Sequence, residues 1–139
     1  MSLNFKRVAP FSGAAKSAVF FIHGYGADGA DLISIGDLLS RNLPDTVFFA
    51  PDAPEKCGTS PFGFQWFPIP WLDGSSESAA KSKLVEVSAT LNLWIDTMLK
   101  GEGVQIDNSF LFGFSQGTML SLHIAPKRKR SFGGVLGFS

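Results

Sequence analysis

The amino-acid sequence predicts an α/β fold with a mostly parallel central sheet, and three observations carry that expectation. Apolar, strand-length runs at residues 18–22, 46–50, 109–114 and 132–138 alternate with stretches of helical periodicity along the whole chain. The runs are continuous rather than alternating, as in strands buried on both faces of a parallel sheet. Third, the run ending at Phe112 meets Gly113-x-Ser115-x-Gly117 and turns helix-like through Thr118, Met119, Leu120 and Leu122. A serine raised on a tight turn between strand and helix leaves no room for side chains two positions to either side, so glycine is favoured there. Alone the pentapeptide is a weak signal; its placement between strand and helix gives it meaning.

Taken in order, residues 3–8 read as a short leading strand, closed by Pro10, Ser12 and Gly13. Ala18-Val19-Phe20-Phe21-Ile22 is the first buried strand, and a glycine-rich loop from His23 to Gly29 follows it. Leu32, Ile35, Leu39 and Leu43, with Ile33 and Leu38 beside them, mark an amphipathic helix of about three turns. Pro44 and Asp45 close it, and Thr46-Val47-Phe48-Phe49-Ala50 repeats the buried-strand pattern up to Pro51. Residues 55–74 are rich in Pro, Gly and aromatics and read as a long loop, functional or partly ordered by its own side chains, either tucked onto the core or forming an apolar substrate wall. Ser75 or Ser76 caps the next helix, whose apolar face runs through Ala80, Leu84, Val87, Leu91, Trp94 or Ile95, and Met98 for five turns before Gly101 and Gly103. After the serine turn and its helix, Pro126 and the basic run Lys127-Arg128-Lys129-Arg130 form a solvated turn, and 132–138 is the last strand.

Size and composition narrow the function. The 139 residues make a single domain, 1–139, and 12 basic against 12 acidic residues leave no electrostatic case for nucleic acid or an anionic membrane. The apolar segment after Ala18 is too short to span a membrane or to serve as a secretion signal. The one cysteine, Cys57, has no internal partner and reads as a loop or packing residue, so the expected location is cytoplasmic.

The glycine loop supports two readings. Gly24-x-Gly26-x-x-Gly29, between strand and helix and with Asp52 at the end of the following strand, fits a dinucleotide-binding fingerprint. Asp28 and Asp31 at the helix start weigh against it, because a pyrophosphate needs that positive end free of competing carboxylates. In the second reading the loop presents the N–H of Tyr25 to a developing oxyanion, and the N–H of Gln116, next to the serine, supplies the second donor.

Four ordered motifs, His23-Gly24-Tyr25-Gly26-Ala27-Asp28-Gly29-Ala30-Asp31-Leu32, Ala50-Pro51-Asp52-Ala53-Pro54, Gln65-Trp66-Phe67 and Gly113-Phe114-Ser115-Gln116-Gly117, together resemble the bacterial carboxylesterase/phospholipase family related to acyl-protein thioesterases. The resemblance runs from about residue 19 to residue 139. It implies an α/β-hydrolase fold, small-molecule ester or thioester substrates with acyl chains, and neither cofactor nor metal. It also implies Ser115 as nucleophile, the N–H groups of Tyr25 and Gln116 as oxyanion hole, and Gln65, Trp66 and Phe67 bordering the acyl site. Gly113, Gly117, His23 and Gly24 are then structural residues of the two turns.

The resemblance also implies a triad in the chain order Ser, acid, His. Residues 116–139 contain no Asp or Glu, and the single histidine after the serine, His123, lies roughly 12 Å along the same helix, outside hydrogen-bond reach of Ser115. Asp52, Asp96, Glu102 and Asp107 all lie upstream. The expectation is a chain resembling the first two-thirds of such an enzyme, lacking its C-terminal strands, with doubtful activity of its own. Two alternatives stay open: a non-catalytic hydrolase fold that binds acyl groups or partners, and a nucleotide-binding domain using Gly24, Gly26 and Gly29. The last strand is expected to be an open apolar edge that pairs with another copy.

Overall fold

The computed structural model describes residues 2–139. Its centre is a five-stranded sheet built from β1 (Phe5–Val8), β2 (Ser17–Ile22), β3 (Thr46–Pro51), β6 (Ser109–Phe114) and β7 (Gly134–Phe138). Their order is β1-β3-β2-β6-β7, with β1 antiparallel to β3 and every other pair parallel. A parallel neighbour needs a crossover, and helices supply it. α1 (Gly29–Leu39) joins β2 to β3, α3 (Glu77–Glu102) leads from β3 towards β6, and α4 (Gln116–Ile124) joins β6 to β7.

The continuous apolar runs of β2 and β3 fill both faces of the sheet. On one face Phe20, Ile22, Val47, Phe49 and Leu111 pack against Leu91, Trp94 and Ile95 of α3 and Leu120 and Ile124 of α4. Phe20 and Phe49 stack at 5.3 Å, and Trp94 meets both rings edge-on. On the other face Phe21, Phe48 and Ala50 pack against Leu32, Ile33, Ile35 and Leu39 of α1. That helix covers the β2–β3 side only. Over β6 and β7 the same face keeps an apolar hollow of about 310 Å³, lined by Val19, Phe110, Phe112 and Leu136 among others, and among the described residues β1 and β7 are the two edges of the sheet.

Several boundaries differ from the sequence expectation, each for a local reason. The first helix begins at Gly29, capped by a reciprocal Asp28–Asp31 box, and ends at Leu39, leaving Leu38 exposed and Leu43 beyond it. α3 extends for 26 residues from the Ser76 cap to a left-handed Gly103, well past the five turns marked by its apolar stripe. The 55–74 stretch is partly ordered, one of the two options its composition left open: β4 (Glu55–Lys56) pairs antiparallel with β5 (Phe64–Gln65), and α2 (Pro70–Asp73) forms one short turn of helix. β7 starts at Gly134 rather than Phe132, whose ring is buried beneath the Arg128 guanidinium at 5.1 Å. Arg128 is therefore docked rather than solvated: it also bonds Asn92 at 2.7 Å and pairs with Asp96.

Candidate active site

Ser115 stands on the turn between β6 and α4 with φ 53° and ψ −114°, the one positive φ among the described residues other than glycine. Such backbone costs on the order of 1–3 kcal/mol, and persists only when its surroundings over-determine it. They do so through contact on both sides. A β-carbon on Gly113 would lie 2.6 Å from the Thr118 nitrogen, and one on Gly117 would lie 1.8 Å from the Ile22 carbonyl oxygen. The Ser115 N–H continues the β6–β7 ladder to the Phe138 carbonyl at 2.8 Å, and the Thr118 hydroxyl donates to that carbonyl at 2.7 Å. The serine side chain is left exposed at the carboxyl end of the central strands.

The loop after β2 meets this turn. Gly24, Tyr25, Gly26 and Ala27 form a β-turn closed by Ala27 N–H to the Gly24 carbonyl at 3.2 Å, with Gly26 at φ 79° as a type II turn requires. β5 holds the turn in place, since Gly26 N–H donates to the Phe64 carbonyl at 2.9 Å and Phe64 N–H to the Ala27 carbonyl at 2.8 Å. Gly24 lies so close to the serine turn that a β-carbon there would stand 3.3 Å from the Ser115 Cβ. Tyr25 occupies the second position of the turn, where an N–H has no role in closing it. Gln116 is the first residue of α4, where an N–H has no intrahelical acceptor. The hydroxyl of Tyr25 accepts from Thr59 at 3.2 Å.

A groove of about 320 Å³ opens beside Ser115 and Gln116, walled by Phe67, Pro68, Ile69, Trp71, Leu84 and Met119. That volume is at the small end of ligand pockets, and its lining is mainly apolar. Of the three residues expected to border the acyl site, Phe67 lines this groove, whereas Gln65 and Trp66 stand behind it. Gln65 pairs with Glu55 across the β4–β5 hairpin, its Nε2 donating at 3.2 Å. Trp66 is fully buried, and its indole N–H donates to the His23 carbonyl at 2.8 Å. The wall is formed instead by Pro68, Ile69 and Trp71, in the same Pro- and aromatic-rich segment.

Neither histidine is placed to take a proton from Ser115. His23 is fully buried; its Nδ1–H donates to the Gly24 carbonyl at 2.7 Å and its Nε2 accepts the Ala53 N–H at 3.0 Å. Burial pulls its pKa below the ordinary histidine value, outweighing the Gly24 bond and the nearby Asp52, which act in the other direction. His123 lies towards the end of α4, where its Nε2 is 3.0 Å from the Lys127 ammonium. The start of α1, where a dinucleotide phosphate would sit, is already crowded with carboxylates: Asp52 accepts the Gly29 N–H at 2.8 Å and Asp28 accepts the Asp31 N–H at 3.1 Å. Gly29 serves close packing, since a β-carbon there would lie 2.3 Å from the Ala50 carbonyl oxygen. Among the described residues no cluster of His, Cys, Asp and Glu could hold a metal ion, and no helix is long and apolar enough to cross a membrane.

Two features escaped sequence reasoning. The Gln116 side chain, valued there only for its neighbouring N–H, is buried and bonds the backbone of Trp66 and Phe67. The Ala53 bond to His23 explains why a histidine follows β2, and the Pro51-Asp52-Ala53-Pro54 segment was the available signal for it.

Comparison with known proteins gives a consistent result. The profile of the phospholipase/carboxylesterase family matches residues 3–139. An acyl-protein thioesterase 1 of Yarrowia lipolytica is 26% identical over 138 residues, covering 94% of this chain and 59% of that protein. An uncharacterized hydrolase of Mycosarcoma maydis is 27% identical over 128 residues, covering 91% and 48%. The crystal structure of esterase PE8 superposes with a TM-score of 0.88 at 34% identity, over 97% of this chain and 62% of that one. The chain thus spans about half to two-thirds of the length of the proteins it matches.

Proposed function

The chain belongs to the phospholipase/carboxylesterase family of α/β-hydrolases, and on that footing we propose that Ser115 is the nucleophile for cleavage of carboxylic esters or thioesters whose acyl chain lies against Phe67 and Met119. The observation that carries this reading is the strained Ser115 turn, open to an apolar groove and touching the Gly24–Ala27 turn. In the reaction Ser115 Oγ attacks the carbonyl carbon and loses its proton to a base. The resulting oxyanion accepts from the N–H groups of Tyr25 and Gln116. Collapse breaks the bond to the alcohol or thiol, which leaves with a proton. Water then attacks the acyl-serine, releasing the carboxylic acid and restoring the hydroxyl.

Neither histidine supplies that base, because His23 and His123 are both turned to other partners. Acylation of this chain is therefore slow, and deacylation, which needs the same base, is slow as well. An activated p-nitrophenyl ester, whose leaving group departs without a proton, acylates faster than water without a base can deacylate, so the acyl-serine should accumulate, which provides the test. After prolonged incubation with p-nitrophenyl decanoate, peptide mass mapping is expected to place a decanoyl group on Ser115, absent from Ser115→Ala. A chain that binds decanoate in the groove yet never acylates Ser115 would favour the second reading, a hydrolase fold that acts as an acyl-binding module. On either reading the open β7 edge is a surface for pairing with a second copy of the chain.

A further inference from the structure

Two loops and the first residue of α4 meet at the buried side chain of Gln116, which is 1% exposed. Its Oε1 accepts the Trp66 N–H at 2.9 Å, and its Nε2 donates to the Phe67 carbonyl at 2.8 Å. Both heavy atoms of the amide are thus committed to the segment whose next side chain, Phe67, walls the groove. From Trp66 the path continues through the indole N–H to the His23 carbonyl at 2.8 Å, then from His23 Nδ1–H to the Gly24 carbonyl at 2.7 Å. The next residue is Tyr25. Every polar group on this path lies in fully or almost fully buried residues, where a lost partner costs more than it would in water.

We propose that the Gln116 side chain is a positioning residue that ties the groove wall to the turn presenting Tyr25, so that a chain seated against Phe67 sets the geometry of both oxyanion donors. The inference rests on the reading of the groove and donors given above. A simple packing role for Gln116 would need neither amide atom, whereas this site uses both and places them on adjacent backbone groups. The consequence concerns specificity. Contacts made by a remote acyl chain are expressed at the reacting carbonyl, which raises turnover rather than affinity alone. Short acyl groups that do not reach Phe67 forgo that contribution.

The test uses amide NMR on the chain itself, titrated with sodium decanoate below its micelle concentration. In the wild-type chain decanoate is expected to shift the resonances of Phe67, Gln116 and Tyr25 together. Gln116→Met keeps the volume and the backbone N–H but removes both side-chain bonds; Trp66→Phe keeps the Gln116 bonds and removes the indole link to His23. In either folded variant the Phe67 shift should persist, with affinity reduced by less than about tenfold, the scale of one net hydrogen bond, while the Tyr25 shift is lost. A Tyr25 shift that survives in both variants would overturn the proposal and leave the groove reading standing. Failure of decanoate to perturb Phe67 in the wild-type chain would overturn the groove reading, and the positioning role with it. Should Gln116→Met fail to fold, Trp66→Phe alone decides the outcome.

Discussion

The α-carbon of Gly117 lies so close to β2 that a β-carbon added to it would stand 1.8 Å from the carbonyl oxygen of Ile22. This approach presses the start of α4 onto the end of β2 and leaves the backbone of the β6–α4 turn, at Ser115, no relaxed conformation. Gly117→Ala is therefore expected to destabilise the chain by about 3 kcal/mol or more, at or beyond the upper range for overpacking. Gly101, in the last turn of α3, has open space where a side chain would go. Gly101→Ala should stabilise by roughly 0.5–1 kcal/mol. Urea denaturation midpoints of the two variants, read against wild type, check the contrast.

The strain at Ser115 makes its own prediction. Glycine adopts positive φ without penalty, so Ser115→Gly should raise stability by about 1 kcal/mol after allowing for glycine's extra freedom in the unfolded chain. Ser115→Ala keeps the strain and should change stability little. Equal urea midpoints for all three proteins would show that the turn stores no strain.

His23 gives the fold a pH dependence with a definite sign. Its folded pKa lies below the ordinary histidine value because burial disfavours the imidazolium. Between the folded and unfolded values the unfolded chain binds the extra proton, so stability rises with pH in that window. The contribution is complete above about pH 6.5, the unfolded histidine value, and is lost as pH falls from there through the folded value. Thermal melts from pH 5 to 8 should show this loss, and His23→Asn should flatten the slope while lowering stability throughout. A melting temperature unchanged below pH 6.5 would contradict it.

The edge strand predicts association. β7 offers unpaired backbone groups along one side, Leu136 and Phe138 remain about half exposed, and the adjoining face carries the apolar hollow over β6 and β7. An uncovered apolar edge of this kind is a template for pairing with another chain. Small-angle scattering of residues 1–139 should give a mass that grows with concentration; a monomeric mass at both low and high concentration would count against it.

The fold was largely legible because its signals are local. Phe20, Phe21, Phe48 and Phe49 report burial on both faces by being adjacent, and Gly113 and Gly117 report close approach by their spacing around Ser115. The glycines from Gly24 to Gly29 marked a loop, and the Gly24–Ala27 turn within it became visible only in the structure. What escaped notice depends on distant contacts. Lys83 pairs with Glu55 at 2.5 Å and helps fasten the β4–β5 hairpin to α3, but nothing near either residue announces the other. The same holds for Gln116 with Trp66, fifty positions apart in sequence. Phe132 was read as strand because it is apolar, while its burial under Arg128 is decided by Asn92 and Asp96 of α3, 36 and 32 positions before Arg128.

The central claim is that Ser115 is presented for nucleophilic attack beside an acyl groove while no base among these residues activates it. The most direct measurement is the rate and position of labelling by an alkyl fluorophosphonate, followed by intact mass and peptide mapping. The account predicts slow labelling confined to Ser115 and lost in Ser115→Ala. Rapid stoichiometric labelling of Ser115, or labelling at other serines in its place, would contradict it.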